Sequence, residues 1–173
     1  MVEKIDKKEN AFIDTVVNVS RVTKVTKGGK RFSFSALVVT GNREGQVGIA
    51  IGKSREVSLA IAKATNKARK HMVNIPLRGT TVPYDVFGSH GSSKVVIRAA
   101  AKGTGVIAGG AMRAIMVAIG IKDVLAKSLG SSNRQNVAKA TLNALAKLRT
   151  ASQLAKQRGL TVQEMIGARN VSA

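Results

Sequence analysis

Between Lys102 and Arg113 the chain reads KGTGVIAGGAMR, with Gly103, Gly105, Gly109 and Gly110 inside eight consecutive positions. A β-like run from Lys94 to Ala101 precedes it, and a helical pattern from Ala111 to Ile119 follows. Strand, glycine turn and helix in that order is an arrangement that many proteins use to hold an anion or a nucleotide. The free amides of a helix N-terminus make such a junction a frequent anion or nucleotide site. Three readings compete: a cofactor loop, a seat for a nucleic-acid phosphate, and a tight structural turn.

The charge balance weighs on that choice. Among 173 residues, 29 Lys and Arg face 9 Asp and Glu, a net charge of +20. Such an excess repels itself in a compact fold unless a polyanion neutralises it. Nucleic acid is the leading partner, since each neutralised phosphate releases counterions. An acidic membrane surface would need a bulky amphipathic basic helix or a lipid signal, and neither is evident. With no cysteine, thiolate chemistry, disulfides and cysteine zinc sites are excluded. The start, MVEKIDKKENAF, lacks the apolar core of a signal peptide, and the apolar run Ala114 to Ile121 is too short to span a bilayer. A soluble, cytoplasmic protein without a membrane partner is expected.

Apolar residues make up 44% of the chain, but the only aromatics are Phe12, Phe32, Phe34, Tyr84 and Phe87. Ala, Val, Ile and Gly must therefore fill the interior, which implies thin layers and close backbone packing. Residues 1 to 11 read as a tail. Phe12 to Thr26 has strand composition, Lys27-Gly28-Gly29-Lys30 is a turn, and Arg31 to Thr40 returns as a second strand with Phe32, Phe34, Ala36 and Val38 on one face. Arg31 to Phe34 has a faint likeness to a motif whose aromatics stack on RNA bases, without its glycines; in a chain so poor in aromatics, Phe32 and Phe34 are expected in the core instead. A third strand covers Gln46 to Ile51, with Gly48 and Ala50 placed where another element approaches closely. Ser54 is the expected N-cap of a helix whose stripe is Val57, Ala60, Ile61, Ala64, Ala68 and Met72. The first unit, 12–75, is thus three antiparallel strands with one helix. Residues 76–83 hold Pro76 and Pro83 and read as a linker. In the second unit, 84–167, Val82 to Phe87 and Lys94 to Ala101 flank a turn at Gly88 to Ser92. Then come the glycine stretch with its helix, a strand from Asp123 to Ser128, a helix capped by Asn133 and a short helix from Thr161 to Ile166. Residues 168–173 read as a second tail.

Enzyme motifs do not hold up. Gly103-x-Gly105-x-x-Ala108 matches a loose dinucleotide fingerprint, and Asp123 stands about twenty residues on, where a ribose-binding acid belongs. That acid should end the next strand, whereas Asp123 begins one. Gly48 to Ser54 has three spacers where a P-loop needs four. His71 and His90 lack metal-ligand spacing, and no carboxylate pair is suggestively placed. No catalytic residue, metal or cofactor is therefore expected. Lys53 and Arg55 do stand near a helix N-terminus, suited to one backbone phosphate. Arg21, Lys24, Lys27, Lys30 and Arg31 crowd the turn formed by Gly28 and Gly29, as in a phosphate-tracking finger. Lys63, Lys67 and Lys70 fall away from the apolar stripe of the first helix, either as a solvated face or as an RNA contact. Three strands plus such a helix is also how double-stranded-RNA-binding domains are built, which read shape and phosphates.

Four stretches carry a family resemblance: NVSRVTKVTKGGKRFSFSALVVTGN (18 to 42), QVGIAIGKSREVSLAIAKATNKARK (46 to 70), GTGVIAGGAMRA (103 to 114) and GSSNRQNVAKATLNAL (130 to 145). The chain resembles the bacterial small-subunit ribosomal protein five family over roughly residues 12 to 167. The resemblance implies an α+β protein: an N-terminal unit like a double-stranded-RNA-binding domain, then a two-layer β-α-β-α domain with a left-handed crossover, where the general rule gives a right-handed one. It implies binding to small-subunit rRNA, neighbours in ribosomal proteins four and eight, and a place where mRNA enters the subunit. Arg21 to Arg31 would correspond to a hairpin in which changes give spectinomycin resistance. Gly105 and Arg113 would lie at a protein contact that influences decoding accuracy. The chain departs from the family at Lys102, where an acid is usual, at Ser58 and at Arg134. A free-standing RNA chaperone and a nucleotide-dependent enzyme using 103–113 are the alternatives.

Overall fold

The computed structural model describes residues 12 to 167, so both expected tails lie outside the described residues. The chain divides into two compact units, one running up to Val73 with Ala114–Gly120, the other formed by Asn74–Arg113 and the residues from Ile121 onward.

The first unit is built on β1 (Ile13–Thr26), β2 (Gly29–Gly41) and β3 (Gln46–Ser54), with α1 (Val57–Lys70) following and a two-residue strand, β4 (Val73–Asn74), completing the sheet. Sheet order is β1-β2-β3-β4, one short strand more than expected. β1 and β2 are antiparallel from Ile13 opposite Gly41 to Thr26 opposite Gly29, with an irregularity between Val16 and Asn18. The helix lies against small residues. Ala60, Ala64 and Ala68 are fully buried, and the expected close approach at Gly48 is present. A Cβ there would overlap the Ala68 carbonyl oxygen, and one on Gly52 would overlap that of Ala60. Ala36, Val38, Ala60 and Ala64 form a core cluster with Phe34 and Ile61 at its margin. Asp14 ties the outer strand to this layer: its carboxylate accepts Thr40 Oγ1 at 2.6 Å and pairs with Arg69 at 2.7 Å.

Ser54 is not the cap of α1. It ends β3, and Glu56 takes the N-cap position without a side-chain capping bond. The strand continues past Ile51 because Gly52, Lys53 and Ser54 stay paired with Ala36, Ser35 and Phe34 of β2. Ladder hydrogen bonds outweigh a capping preference worth about 1 kcal/mol.

The second unit contains β5 (Val86–His90), β6 (Ser93–Ala99), β7 (Val106–Ile107) and β8 (Val124–Gly130) in the order β5-β6-β8-β7. Helix α2 (Gly110–Ile119) links β7 to β8, which run parallel. Helix α3 (Arg134–Leu145) starts at the expected cap, Asn133, whose side chain accepts the Gln135 N–H. It packs on one face of the sheet so closely that a Cβ on Gly88 would overlap the Ala140 carbonyl oxygen. Gly88, Ser89 and His90, expected in the turn, are therefore strand residues, and the turn contracts to Gly91 and Ser92. Edge strand β5 is protected by α3 and the residues just after it: Asn143 Nδ2 donates to the Ser89 carbonyl at 3.0 Å and Lys147 Nζ to that of Phe87 at 2.8 Å. Residues 76–83, read as a linker, are fastened within this unit. Val82 is fully buried, and the Thr80 carbonyl accepts the N–H groups of Lys122 and Asp123.

One helix escaped the periodicity. Helix α4 (Ala151–Arg158) opens with a reciprocal capping box between Thr150 and Gln153 and closes on Gly159 in the left-handed region. A Thr-x-x-Gln signature was present in the sequence. Helix α5 (Val162–Gly167) matches the expected final helix closely.

Candidate nucleic-acid interface

Pairing of β2 with β3 stops at Phe34 and Ser54, whereas pairing of β1 with β2 runs on to Thr26 and Gly29. Residues 22–26 and 29–33 therefore project as a two-stranded ribbon about 17 Å long. Every residue from Arg21 to Val25 and from Lys27 to Phe32 is exposed. Gly29 sits at φ +136, a conformation that L side chains rarely adopt, while Gly28 has open space around it.

Register sorts four of the five cations of the ribbon onto two faces, with Lys27 in the turn itself. Directly opposite residues share a face, so Arg21, Phe34, Thr23, Phe32, Val25 and Lys30 lie on one side, and Val22, Ser33, Lys24 and Arg31 on the other. Lys24 is directly opposite Arg31. Two like charges across a ladder destabilise it, and among the described residues neither belongs to an ion pair. A nearby anion removes that penalty. On the first face, the Arg21 guanidinium lies 4.6 Å from the centre of the Phe32 ring. Phe32 is 47% exposed, which corrects its expected place in the core: it lies beyond the end of β3, where α1 no longer covers the sheet. Phe34, two residues nearer the core, packs against the Ala36 cluster as expected.

The remaining basic residues extend from this base. Lys53 pairs across to Ser35, itself opposite Ser20, and so continues the Lys24–Arg31 face. Arg55 is exposed in the link to α1. Lys63, Lys67 and Lys70 are exposed at i, i+4 and i+7 along α1, forming a separate line of charge. Lys67, Arg69 and Lys70 occupy its last turn, where cations complement the helix dipole.

Of the three readings of the glycine stretch, the geometry matches the structural turn. No atom lies within 4 Å of a Cβ placed on Gly103, Gly105, Gly109 or Gly110, so close packing does not require these glycines. Gly103 and Gly105 are instead needed for their backbone, at φ +94 and +77. Their N–H groups both donate to Asp123 Oδ1, at 2.9 and 3.0 Å. The Gly105 amide above all, with the Thr80 hydroxyl and then the Gly103 amide and the Lys102 charge, holds the Asp123 carboxyl below its ordinary range. The acid that resembled a ribose ligand thus serves the loop itself. Sequence reading missed this role; the signal was an isolated acid at the start of the strand following two glycines. Arg113 is exposed, with a long 3.4 Å contact to the Val106 carbonyl.

Among the described residues no three His, Cys, Asp or Glu gather as a metal site, and no helix is long and apolar enough to cross a membrane. An open cleft of about 750 Å³ in the second unit is lined by Asn74, Pro76, Arg149, Thr150, Gln153 and Lys156 among others, with no carboxylate in its wall.

Comparison with known proteins supplies the context for this geometry. Residues 12–76 match the family description "Ribosomal protein S5, N-terminal domain", and residues 88–158 match "Ribosomal protein S5, C-terminal domain". A relative from Orientia tsutsugamushi is 53% identical over 159 residues, covering 91% of this chain and 92% of its own. Relatives from Azorhizobium caulinodans and Pelagibacter ubique are 48% and 45% identical, each over 95% of this chain and over 89% and 97% of their own. All three are described as small ribosomal subunit protein uS5.

Proposed function

The chain belongs to the ribosomal protein S5 family, and from that premise we propose how it serves the small ribosomal subunit, of which it is a structural constituent. The β1–β2 ribbon grips small-subunit rRNA through backbone phosphates. Lys24, Arg31 and Lys53 serve one face, Arg21 and Lys30 the other, and Lys27 with Gly28 and Gly29 the tip. Arg55 and the line Lys63, Lys67 and Lys70 hold a second stretch of phosphates from α1. In the second unit Gly105 and Arg113 face a neighbouring protein, of which proteins four and eight are the candidates. Through that contact the chain supports decoding accuracy and helps shape the place where mRNA enters the cytoplasmic ribosome.

The observation that carries this reading is the ribbon: five cations on two short strands and their turn, with no carboxylate among them. A two-stranded ribbon has little stability of its own in water, and its charges repel. It becomes favourable when RNA phosphates neutralise both faces. A nucleotide enzyme is disfavoured by the same geometry that resembled one, because the Gly103 and Gly105 amides are already taken by Asp123.

The test is the triple substitution Lys24→Ala, Lys27→Ala and Lys30→Ala. Filter binding to small-subunit rRNA across a salt series is expected to show weaker affinity and a log–log slope shallower by roughly one for each phosphate no longer neutralised. An unchanged slope removes the ribbon from the interface. Cosedimentation with salt-washed small subunits tests integral membership independently.

A further inference from the structure

We propose that the open face of the second sheet is a platform for an unpaired RNA strand, distinct from the phosphate grip of the first unit. The sheet β5-β6-β8-β7 is covered by α3 on one face only: Gly88, Val95 and Ile97 point inward and are buried. Its other face is open, with Phe87 61% exposed and Leu129 46% exposed.

The cross-strand rows on this face are regular. Lys94 stands opposite Leu129, Val96 stands between Phe87 and Lys127, and Arg98 is opposite Leu125. Each row thus has one cation beside apolar or aromatic surface. Successive rows are two residues apart, about 7 Å, a rise that an extended nucleotide chain can follow. Arg98 has a loose partner in Asp85, Nε to Oδ2 at 3.6 Å. Among the described residues Lys94 and Lys127 belong to no ion pair.

That pattern selects the occupant. A protein partner would bury the centre of the face, and interface centres are depleted of lysine because a buried cation needs a carboxylate. Strand-binding surfaces instead interleave cations for phosphates with rings and apolar side chains on which bases stack. A four-stranded sheet with helices behind it and a ring exposed in front is one established form of such a platform. Here Lys94, Lys127 and Arg98 take phosphates, Phe87 stacks on a base, and Leu129 and Leu125 floor the neighbouring positions. A duplex does not fit this scheme, because its bases are not available to Phe87.

The full chain is tested by fluorescence anisotropy with two probes, a uridine oligonucleotide of about twelve residues and a blunt RNA duplex of equal charge. The pair Lys94→Ala and Lys127→Ala is expected to weaken uridine-strand binding roughly tenfold and Phe87→Ala by a similar factor, with duplex affinity held within about twofold. Lys94→Gln with Lys127→Gln replaces the alanine pair if that variant melts early. A 4-thiouridine strand is expected to crosslink at Phe87. Undiminished uridine-strand binding by the lysine pair overturns the proposal, as does equal loss on both probes. Protection of the face by an added small-subunit protein, with no crosslink to RNA, also overturns it and makes the surface a protein dock. The ribbon variant Lys24→Ala, Lys27→Ala, Lys30→Ala is read on the duplex alongside. Its failure would count against the rRNA grip while leaving the platform standing.

Discussion

Asp123 closes on Gly105: one carboxylate oxygen accepts the Gly105 N–H at 3.0 Å, and the same oxygen accepts the Gly103 N–H at 2.9 Å. Both glycines have positive φ, so this turn consists of two backbone conformations that glycine adopts readily and other residues rarely do, both held by one anion. Asp123 is itself fixed, its N–H bonded to the Thr80 carbonyl. The loop between β6 and β7 is therefore shaped before any partner arrives.

This relationship makes stability depend on pH in acid. The folded Asp123 carboxyl has a lowered pKa relative to its ordinary 3.8. Its stabilisation is therefore fully present above the unfolded value and is lost as pH falls through the lower folded value. Thermal melts of the parent and of Asp123→Asn are expected to differ by a constant interval near neutral pH. The interval should narrow only below about pH 4. A gap that persists unchanged in strong acid would deny the carboxylate this role.

Gly52→Ala is expected to destabilise the first unit by about 3 kcal/mol, at the upper end for overpacking. Its Cβ would overlap the Ala60 carbonyl oxygen and approach the Ala64 nitrogen to 2.6 Å, and backbone cannot rotate aside. Gly28→Ala meets nothing within 4 Å and is expected to fall within about 0.5 kcal/mol of the parent. Urea titration of the two variants supplies the comparison.

Phe32→Ala should separate binding from folding. The ring is half exposed beneath the Arg21 guanidinium, and its loss is expected to cost the fold no more than about 1 kcal/mol. Affinity for rRNA should fall several-fold, because Arg21 loses its support and the ribbon face its only exposed ring. A large drop in melting temperature with unchanged affinity would assign Phe32 to the core after all.

Asp14→Ala removes the partner of two groups at once, Arg69 and the fully buried Thr40. The exposed ion pair contributes little, so most of the expected loss, about 1 kcal/mol, comes from the stranded Thr40 hydroxyl. Asp14→Ala with Thr40→Val should recover part of it, and added salt should change it little.

Most of the first unit was legible because its signals are local. Strand alternation in β1 and β2, the Gly28-Gly29 turn and the alanine stripe of α1 all follow from residues within a few positions of one another. Asn133 announced its helix in the same way. What escaped depended on distant partners. Ser54 looks like a cap until β2 is seen to hold it in the ladder. Phe32 looks like core until β3 is seen to end before it. Gly88 looks like a turn until α3 is seen to need its missing side chain.

The glycine stretch marks the division most sharply. By itself the sequence determined that residues 102–113 form a glycine turn entering a helix, because glycine tolerates positive φ and a helix pattern follows. Its net charge of +20 also pointed to a polyanion as the leading class of partner. Only the tertiary structure decided what fills the loop. Asp123 is distant in sequence, and its carboxylate reaches the Gly103 and Gly105 amides because β8 starts beside the loop, with β7 in parallel pairing. An anion from within the chain satisfies these amides, while the exposed cations lie elsewhere, along the ribbon and on the open face of the second sheet.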